Sequence, residues 1–552
     1  MIQKHPYWSS FALCLMILGA LYWPLPLGLS SHWSPSAYGA THAWSANHLL
    51  ESLIAGQNPH SISDLGYPWI REARFIGWAP AIASWPLNPL LGPVGAFQLV
   101  VFLSVGLSSV LAARLIQSIT QCAPTQAAMG GLLFALSPYQ LSILQTGEAP
   151  KAQLWVIPLF LIAMKQCMES GKRGPMAVAL AAFIASFTSP YYGLALPLLA
   201  GIIALTLLPS KQIRRGFTLV ASTAIGLLPG WIYFRHHPEG IHSFFRPALA
   251  PEDLTGQLPI PHPVASVSDL LFGNATSIET TMATHHQSYL GIFLLLGCAV
   301  AAWITRNQRI TGRKAGLGLF IFGALLAMGP WLALHNSSVG VPLPAALLEA
   351  LNYPLEAGGM YYRMVPFAVL GLVVITIGCL EPQQHASKWL ALLLVLQISD
   401  SIRSTGPWPL PVEALPDYSE LQIEETEPGG AVLLVPIRAS RDPQTAQRAV
   451  LRQLLHRRPE VSLPGDLKEA ELHDLQGALN RALQESDPST ALRVQGFRFV
   501  LYAPAVALAE HRIERDRLQR ALGTPTRLQE GLLWDLGETS PQPELITDKL
   551  RH

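Results

Sequence analysis

GGLLFALSPYQLSILQTGEAPKAQLWVIPLFLIAMK, residues 130–165, is the stretch whose reading decides the fold. Two apolar runs, 127–144 and 154–164, flank a nine-residue polar break. Each run, with its amphipathic flanks, suits a membrane-crossing helix of about 20 residues. The break carries Glu148 and Lys151. Charges at a bilayer boundary are unremarkable when solvated. Here both lie in one of the shortest loops on their side of the membrane, so a carboxylate and a cation are held at the mouth of a helix bundle. Ionisable groups tied to a bundle in this way are candidates for function.

The rest of the chain fits that hairpin. Of 552 residues, 50% are hydrophobic and only 13% charged. That is a membrane composition. The charges are unevenly spread: 39 of the 73 Asp, Glu, Lys and Arg residues fall in 404–552. We therefore expect two domains, a polytopic membrane domain over 1–403 and a soluble domain over 404–552. A net charge of +1 gives no reason to expect nucleic acid as a partner. The five cysteines, Cys14, Cys122, Cys167, Cys298 and Cys379, sit in or beside apolar runs, with no CxxC spacing. They form neither a disulfide framework nor a thiolate metal site.

Read in order, the chain opens with an apolar run over 11–29 behind Lys4. It reads as an uncleaved first span, with a cleaved signal peptide as the alternative. Further spans are expected at 94–117, 125–144, 152–168, 174–190, 191–209, 216–234, 288–305, 315–334, 361–380 and 387–403, about eleven crossings in all. Lys and Arg concentrate in one set of short loops, among them Lys172, Arg173, Arg214, Arg215, Arg309 and Arg313. By the positive-inside rule those loops and the N-terminus are cytoplasmic. Long outer loops are then expected at 30–92 and 235–287, and an odd number of spans leaves the tail outside. Within the first outer loop, 42–54 has helical spacing. The tail reads α/β: AVLLVPI (431–437), FRFVLYA (497–503) and LLWDL (532–536) are short strands, with helical patterns at 444–458, 467–486 and 507–522. It contains no nucleophile elbow, phosphate loop or metal signature.

Most of the chemically interesting polarity faces outward. A transferase that uses a lipid-phosphate sugar needs a carboxylate to take the proton of the acceptor hydroxyl. It also needs cations for the leaving phosphate, preferably arginine with its two-pronged geometry. The candidate bases are Glu148, Asp64 and Glu72. The candidate phosphate ligands are Arg71, Arg74, Lys151 and Arg363. Arg363, in MYYRMVP, has a second reading as a side chain snorkelling to the interface. Outer histidines such as His42, His48, His236, His237, His285 and His286 show no HxxxH or HExxH spacing. No resident metal or other cofactor is expected.

Several phrases fall in an order that resembles a large bacterial family of polytopic proteins with the GT-C (C-type glycosyltransferase) architecture. They are AGQNP, LGYPW, WPLNPLLGPVGAFQLVVFLS, FALSPYQLSILQTGEAP, YLGIFLLL and MYYRMVPF, with HRRPEVSLPG and GFRFVLYAP in the tail. The resemblance implies a mainly α-helical polytopic fold followed by a small extracytoplasmic α/β domain. It implies a place in the bacterial inner membrane, a polyprenyl-phosphate-linked sugar as donor, an extracytoplasmic acceptor and contact with membrane lipid. One departure stands out. The family carries an Asp just after a Gly early in the first outer loop, as the usual candidate base, whereas Gly39 is followed here by Ala40, Thr41 and His42. Either Asp64, Glu72 or Glu148 serves instead, or the chain is a non-catalytic scaffold or assembly factor with the same fold. A transporter is disfavoured, because the spans hold almost no mid-membrane charge and no obvious inverted repeat.

Overall fold

Each expected span contains a helix, but the run at 315–334 is helix only over Arg313–Ala327 and ends in a strand, Trp331–Ala333, paired with Ser338–Pro342; the run at 11–29 leaves the helix at Leu21. The computed structural model describes residues 6–36, 39–62, 71–72, 77–169, 173–207, 212–236, 267–272, 288–333, 338–351, 361–383 and 385–405. Beyond these it describes 408–416, 431–435, 443–456, 477, 479–495, 497–502, 509–528 and 532–536. The expected helix at 467–486 lies mostly outside the described residues, as does most of the outer loop 235–287. The chain divides into two compact units. One draws on segments within 1–30, 76–236 and 254–412, the other on segments within 31–75, 237–253 and 413–552.

The first unit is helical. Among the described residues, four helical stretches are long and apolar enough to cross a membrane: Trp78–Thr120, Pro190–Leu207, Ile213–Tyr233 and Tyr361–Leu380. Pro6–Leu21, Gly174–Thr188 and Ile292–Ile304 are shorter apolar helices. The run at 125–144, expected as one span, is instead two helices, Pro124–Ala135 and Pro138–Thr146, bent by 44°. The reason is local. Ser137 precedes a proline and takes extended backbone angles, as such residues do, and Pro138 has no amide to continue the ladder.

Burial separates helices that hydropathy cannot tell apart. Gly174–Thr188 exposes Met176, Leu180 and Phe183 and buries Val178, Ala181, Ala182 and Ala185. The exposed residues are spaced as one helix face. Such an apolar stripe is ordinary surface in hydrocarbon. Val365–Leu380 is the opposite case, with all of its residues buried. It packs along Arg313–Ala327 and against Ile292–Ile304 and Pro124–Ala135. Two glycines allow the first of these contacts at backbone distance. A Cβ on Gly323 would stand 2.3 Å from the Ala368 amide nitrogen, and one on Gly371 would stand 2.4 Å from that of Phe320. Small residues at such crossings let helices gain van der Waals contact where lipid provides no hydrophobic drive. The chain is thus a multi-pass membrane protein.

A polar lock ties two further helices together. The Asp400 carboxylate, on Ala386–Thr405, accepts the Tyr289 hydroxyl at 2.8 Å and the Ile292 amide at 3.1 Å. Gln397 Oε1 accepts the Leu294 amide at 2.9 Å. The first amides of a helix have no partner within it. Here a neighbouring helix supplies the acceptors for Ile292–Ile304, and the carboxylate also complements that helix's dipole.

The second unit holds a four-stranded sheet in the order Ala431–Val435, Phe497–Tyr502, Leu532–Asp535, Thr526–Arg527. The first pair is parallel and the others antiparallel. Period-2 alternation sends Leu433, Val435, Val500, Tyr502 and Trp534 to one core and Val432, Phe499, Leu501 and Leu533 to another, and a register shift at Ala431–Val432 brings Phe497 to the first core as well. A sheet buried on both faces explains why these strands read as continuous apolar runs. Pro443–His456 packs against Gly39–Ile54, and the Trp44 indole N–H donates to Gln453 Oε1. Only segments within 31–75 of the expected loop 30–92 fold with the tail, where His32–Trp33 also pairs antiparallel with Glu413–Ala414; its end, from Trp78, is instead the start of the helical stretch Trp78–Thr120.

Candidate functional site

The helix Pro138–Thr146 ends at Gly147, whose φ of 74° is a left-handed cap that glycine adopts without steric cost. The Glu148 amide then turns back to the Ile143 carbonyl, 3.2 Å away. The amides of Lys151 and Ala152 both point at the Glu148 carbonyl, at 2.9 and 3.2 Å. This tight turn puts the Glu148 and Lys151 side chains on the same side, where they form an ion pair. Only 11% of the Glu148 side chain and 3% of the Lys151 side chain are exposed. A buried pair of this kind is costly to assemble and needs further hydrogen bonds to be tolerated.

Those bonds come from distant tyrosines. Lys151 Nζ donates to the Tyr362 hydroxyl at 2.8 Å and lies 5.3 Å from the centre of its ring. Tyr362 belongs to a short 3-10 turn, Tyr361–Met364, that leads into the buried Val365–Leu380 helix. Arg363 is next in the chain, 6% exposed, with its guanidinium carbon 3.7 Å from the centre of the Tyr191 ring. It is packed inside the protein, so it does not snorkel to lipid. Tyr192 donates to the Lys151 carbonyl at 2.6 Å, and its oxygen lies 3.1 Å from the Tyr139 hydroxyl. Gln140 Nε2 reaches the Ala152 carbonyl at 3.1 Å. Three segments, Pro138–Thr146, the start of Pro190–Leu207 and Tyr361–Met364, thus converge on one turn, and two cations and a carboxylate are held there under an aromatic cover. Around Arg and Lys, tyrosine faces add cation–π attraction that strengthens as water is excluded.

Of the sequence-derived candidates, Glu148 and Lys151 meet directly, and Arg363 adjoins the tyrosine that binds Lys151. Arg71 and Glu72 form a two-residue strand paired with Ser61–Ile62 in the other unit. Asp64 and Arg74 lie outside the described residues. Tyr139, Gln140, Tyr191, Tyr192 and Tyr362 were not anticipated. A signal for three of them was present: Ser-Pro-Tyr occurs at 137–139 and again at 189–191, followed there by Tyr192. Each Ser-Pro starts a helix, Pro138–Thr146 and Pro190–Leu207. Among the described residues no three His, Cys, Asp or Glu side chains gather as a metal-ligating group.

No protein-family model matches the sequence, and no curated protein matches it. Solved structures do. Two cryo-EM structures of the arabinofuranosyltransferase AftD from Mycobacteria match with TM-scores of 0.57, at 14% and 15% identity. These alignments cover 97% and 98% of this chain but 40% and 42% of AftD, so the chain spans less than half the length of that protein. The apo crystal structure of ArnT from Cupriavidus metallidurans matches at 11% identity with a TM-score of 0.49, over 96% of this chain and 99% of that one. The fold built above, from the bent hairpin to the buried Val365–Leu380 helix, is similar to that of AftD.

Proposed function

We propose that the chain is an integral membrane glycosyltransferase that moves a sugar from a polyprenyl-phosphate carrier to an extracytoplasmic acceptor. A fold of this kind hosts a function only through its site. The observation that carries the proposal is the buried Glu148–Lys151 pair, with Lys151 on Tyr362 and Arg363 beside it. The reaction needs a proton acceptor and cations for a phosphate, and this turn holds both. The acceptor hydroxyl oxygen attacks the anomeric carbon, and the bond from that carbon to the phosphate oxygen breaks. The electron pair leaves with the polyprenyl phosphate, and the hydroxyl proton passes to Glu148. In the resting pair Lys151 neutralises Glu148. A donor phosphate that takes Lys151 releases the carboxylate to act as base, which couples donor binding to catalysis. Asp64 and Glu72 are the alternative bases, and Arg71 and Arg74 further phosphate ligands from the first outer loop. No cofactor enters this scheme.

The same reading gives the chain about eleven crossings. It puts the chain in the bacterial inner membrane, with an α/β domain over 404–552 on the extracytoplasmic side. Ser419→Cys should then react in intact cells with a thiol reagent that does not cross the inner membrane; reaction only after lysis refutes that orientation.

The direct test is radiolabelled polyprenyl-phosphate sugar incubated with the purified full chain and a membrane extract. Glu148→Gln, nearly isosteric, should remove most turnover while expression and lipid binding stay near normal. Unchanged turnover excludes Glu148 as base and moves the role to Asp64 or Glu72. A scaffold reading has one observation in its favour: the helix Gly39–Ile54 begins Gly-Ala-Thr, with no carboxylate in its first turn. Full biological activity in all three single carboxylate variants would establish it.

A further inference from the structure

The Tyr192 and Tyr139 hydroxyls form a chain whose direction is fixed by proton count. The Tyr192 oxygen is 2.6 Å from the Lys151 carbonyl, which only accepts, so Tyr192 spends its single proton there. The 3.1 Å contact between the two hydroxyls is therefore donated by Tyr139. Both side chains are fully buried. Each stands at the start of a helix opened by Ser-Pro, and the two helices, Pro138–Thr146 and Pro190–Leu207, are far apart in the chain. The chain of bonds ends on the main chain of the residue that carries the cation.

We propose that Tyr192 is a positioning residue: polarised by Tyr139, it holds the Lys151 carbonyl and so sets where the Lys151 ammonium stands for the leaving phosphate. This rests on the transferase reading above. A cation that faces a leaving phosphate matters most when the phosphate gains charge, which is in the transition state. A displaced Lys151 therefore slows turnover more than it weakens donor binding. Tyr139 acts only through Tyr192. Once the Tyr192 hydroxyl is gone, Tyr139 has nothing left to contribute.

The test is a double-mutant cycle on the full chain in lipid nanodiscs, with Tyr192→Phe, Tyr139→Phe and the double variant. Tyr192→Phe should lower kcat about tenfold, equivalent to about 1.4 kcal/mol, with the donor KM changed less than about threefold. Tyr139→Phe should lower kcat less, and the double variant should match Tyr192→Phe alone. Losses that add, or a Tyr192→Phe enzyme with wild-type kcat, overturn the proposal. A second measurement needs no turnover: amide hydrogen exchange across residues 148–155. The Lys151 and Ala152 amides should exchange faster in Tyr192→Phe, by the same amount in the double variant, with the amides of Val365–Leu380 unchanged. If the wild-type chain transfers no sugar, the transferase reading falls while the exchange result still decides whether Tyr192 holds the turn. Unchanged exchange at 148–155 refutes that hold whatever the enzymology shows.

Discussion

Replacing Lys151 by Met removes the charge and keeps the length of the side chain. It leaves the Glu148 carboxylate, 11% exposed, without the ammonium that faces it. Removing one partner of a buried pair costs about 3–5 kcal/mol, because the remaining charge stays desolvated. Glu148→Gln is gentler. The amide oxygen still accepts from Lys151, and Lys151 keeps the Tyr362 hydroxyl at 2.8 Å and its ring at 5.3 Å. That variant should lose about 1–2 kcal/mol, the scale of one weakened buried hydrogen bond. The double variant, with neutral groups of nearly the same shape on both sides, should lie within about 1–2 kcal/mol of wild type, since replacing both partners of a buried pair is often close to neutral. The cycle then gives a coupling of at least about 2 kcal/mol, far above the 0.2–1 kcal/mol typical of an exposed pair. Equilibrium unfolding of the full chain in mixed micelles measures all four proteins. A coupling below about 0.5 kcal/mol would show that the two side chains do not form a buried pair and would refute the reasoning.

Two more predictions follow from the packing. Gly323→Ala should destabilise the bundle by about 1–3 kcal/mol through overpacking, while Gly318→Ala on the same helix, with nothing within 4 Å of its Cβ, should be silent in the same unfolding assay. Asp400→Ala should cost about 2–4 kcal/mol, because the Tyr289 hydroxyl and the Ile292 amide both lose their charged acceptor; Asp400→Asn should recover at least half of that, and equal losses in the two variants would show that the hydrogen bonds are not what holds this helix start.

Part of the candidate site was legible in the sequence. Glu148 and Lys151 stood out because charge is rare in this chain and the loop that carries them is short. Arg363 stood out as a lone cation at the start of an apolar run. Tyrosine carries no such signal, since an amphipathic ring reads equally well as interface, core or lipid boundary. The role of Tyr362 depends on a partner 211 positions away. The bend at Ser137–Pro138 was written plainly in the sequence and overridden by the continuous hydropathy of the run. The role of Asp400 was hidden for the reason that hid Tyr362: a helix cap supplied by another helix leaves no mark near the helix it caps.

Local chemistry determined where most of the helices and the tail's main strands fall. Apolar runs of the right length, prolines at helix starts and short β-branched and aromatic strands in the tail act over a few residues, through backbone hydrogen bonds and transfer energy. Tertiary structure alone decided which apolar helices face lipid and which, like Val365–Leu380, are buried on every side. It also decided that segments within 31–75 fold with 413–552. The physical reason is that transfer energy has no direction. It removes an apolar side chain from water and is indifferent to whether lipid or another helix receives it, so only close packing between residues hundreds of positions apart makes that choice.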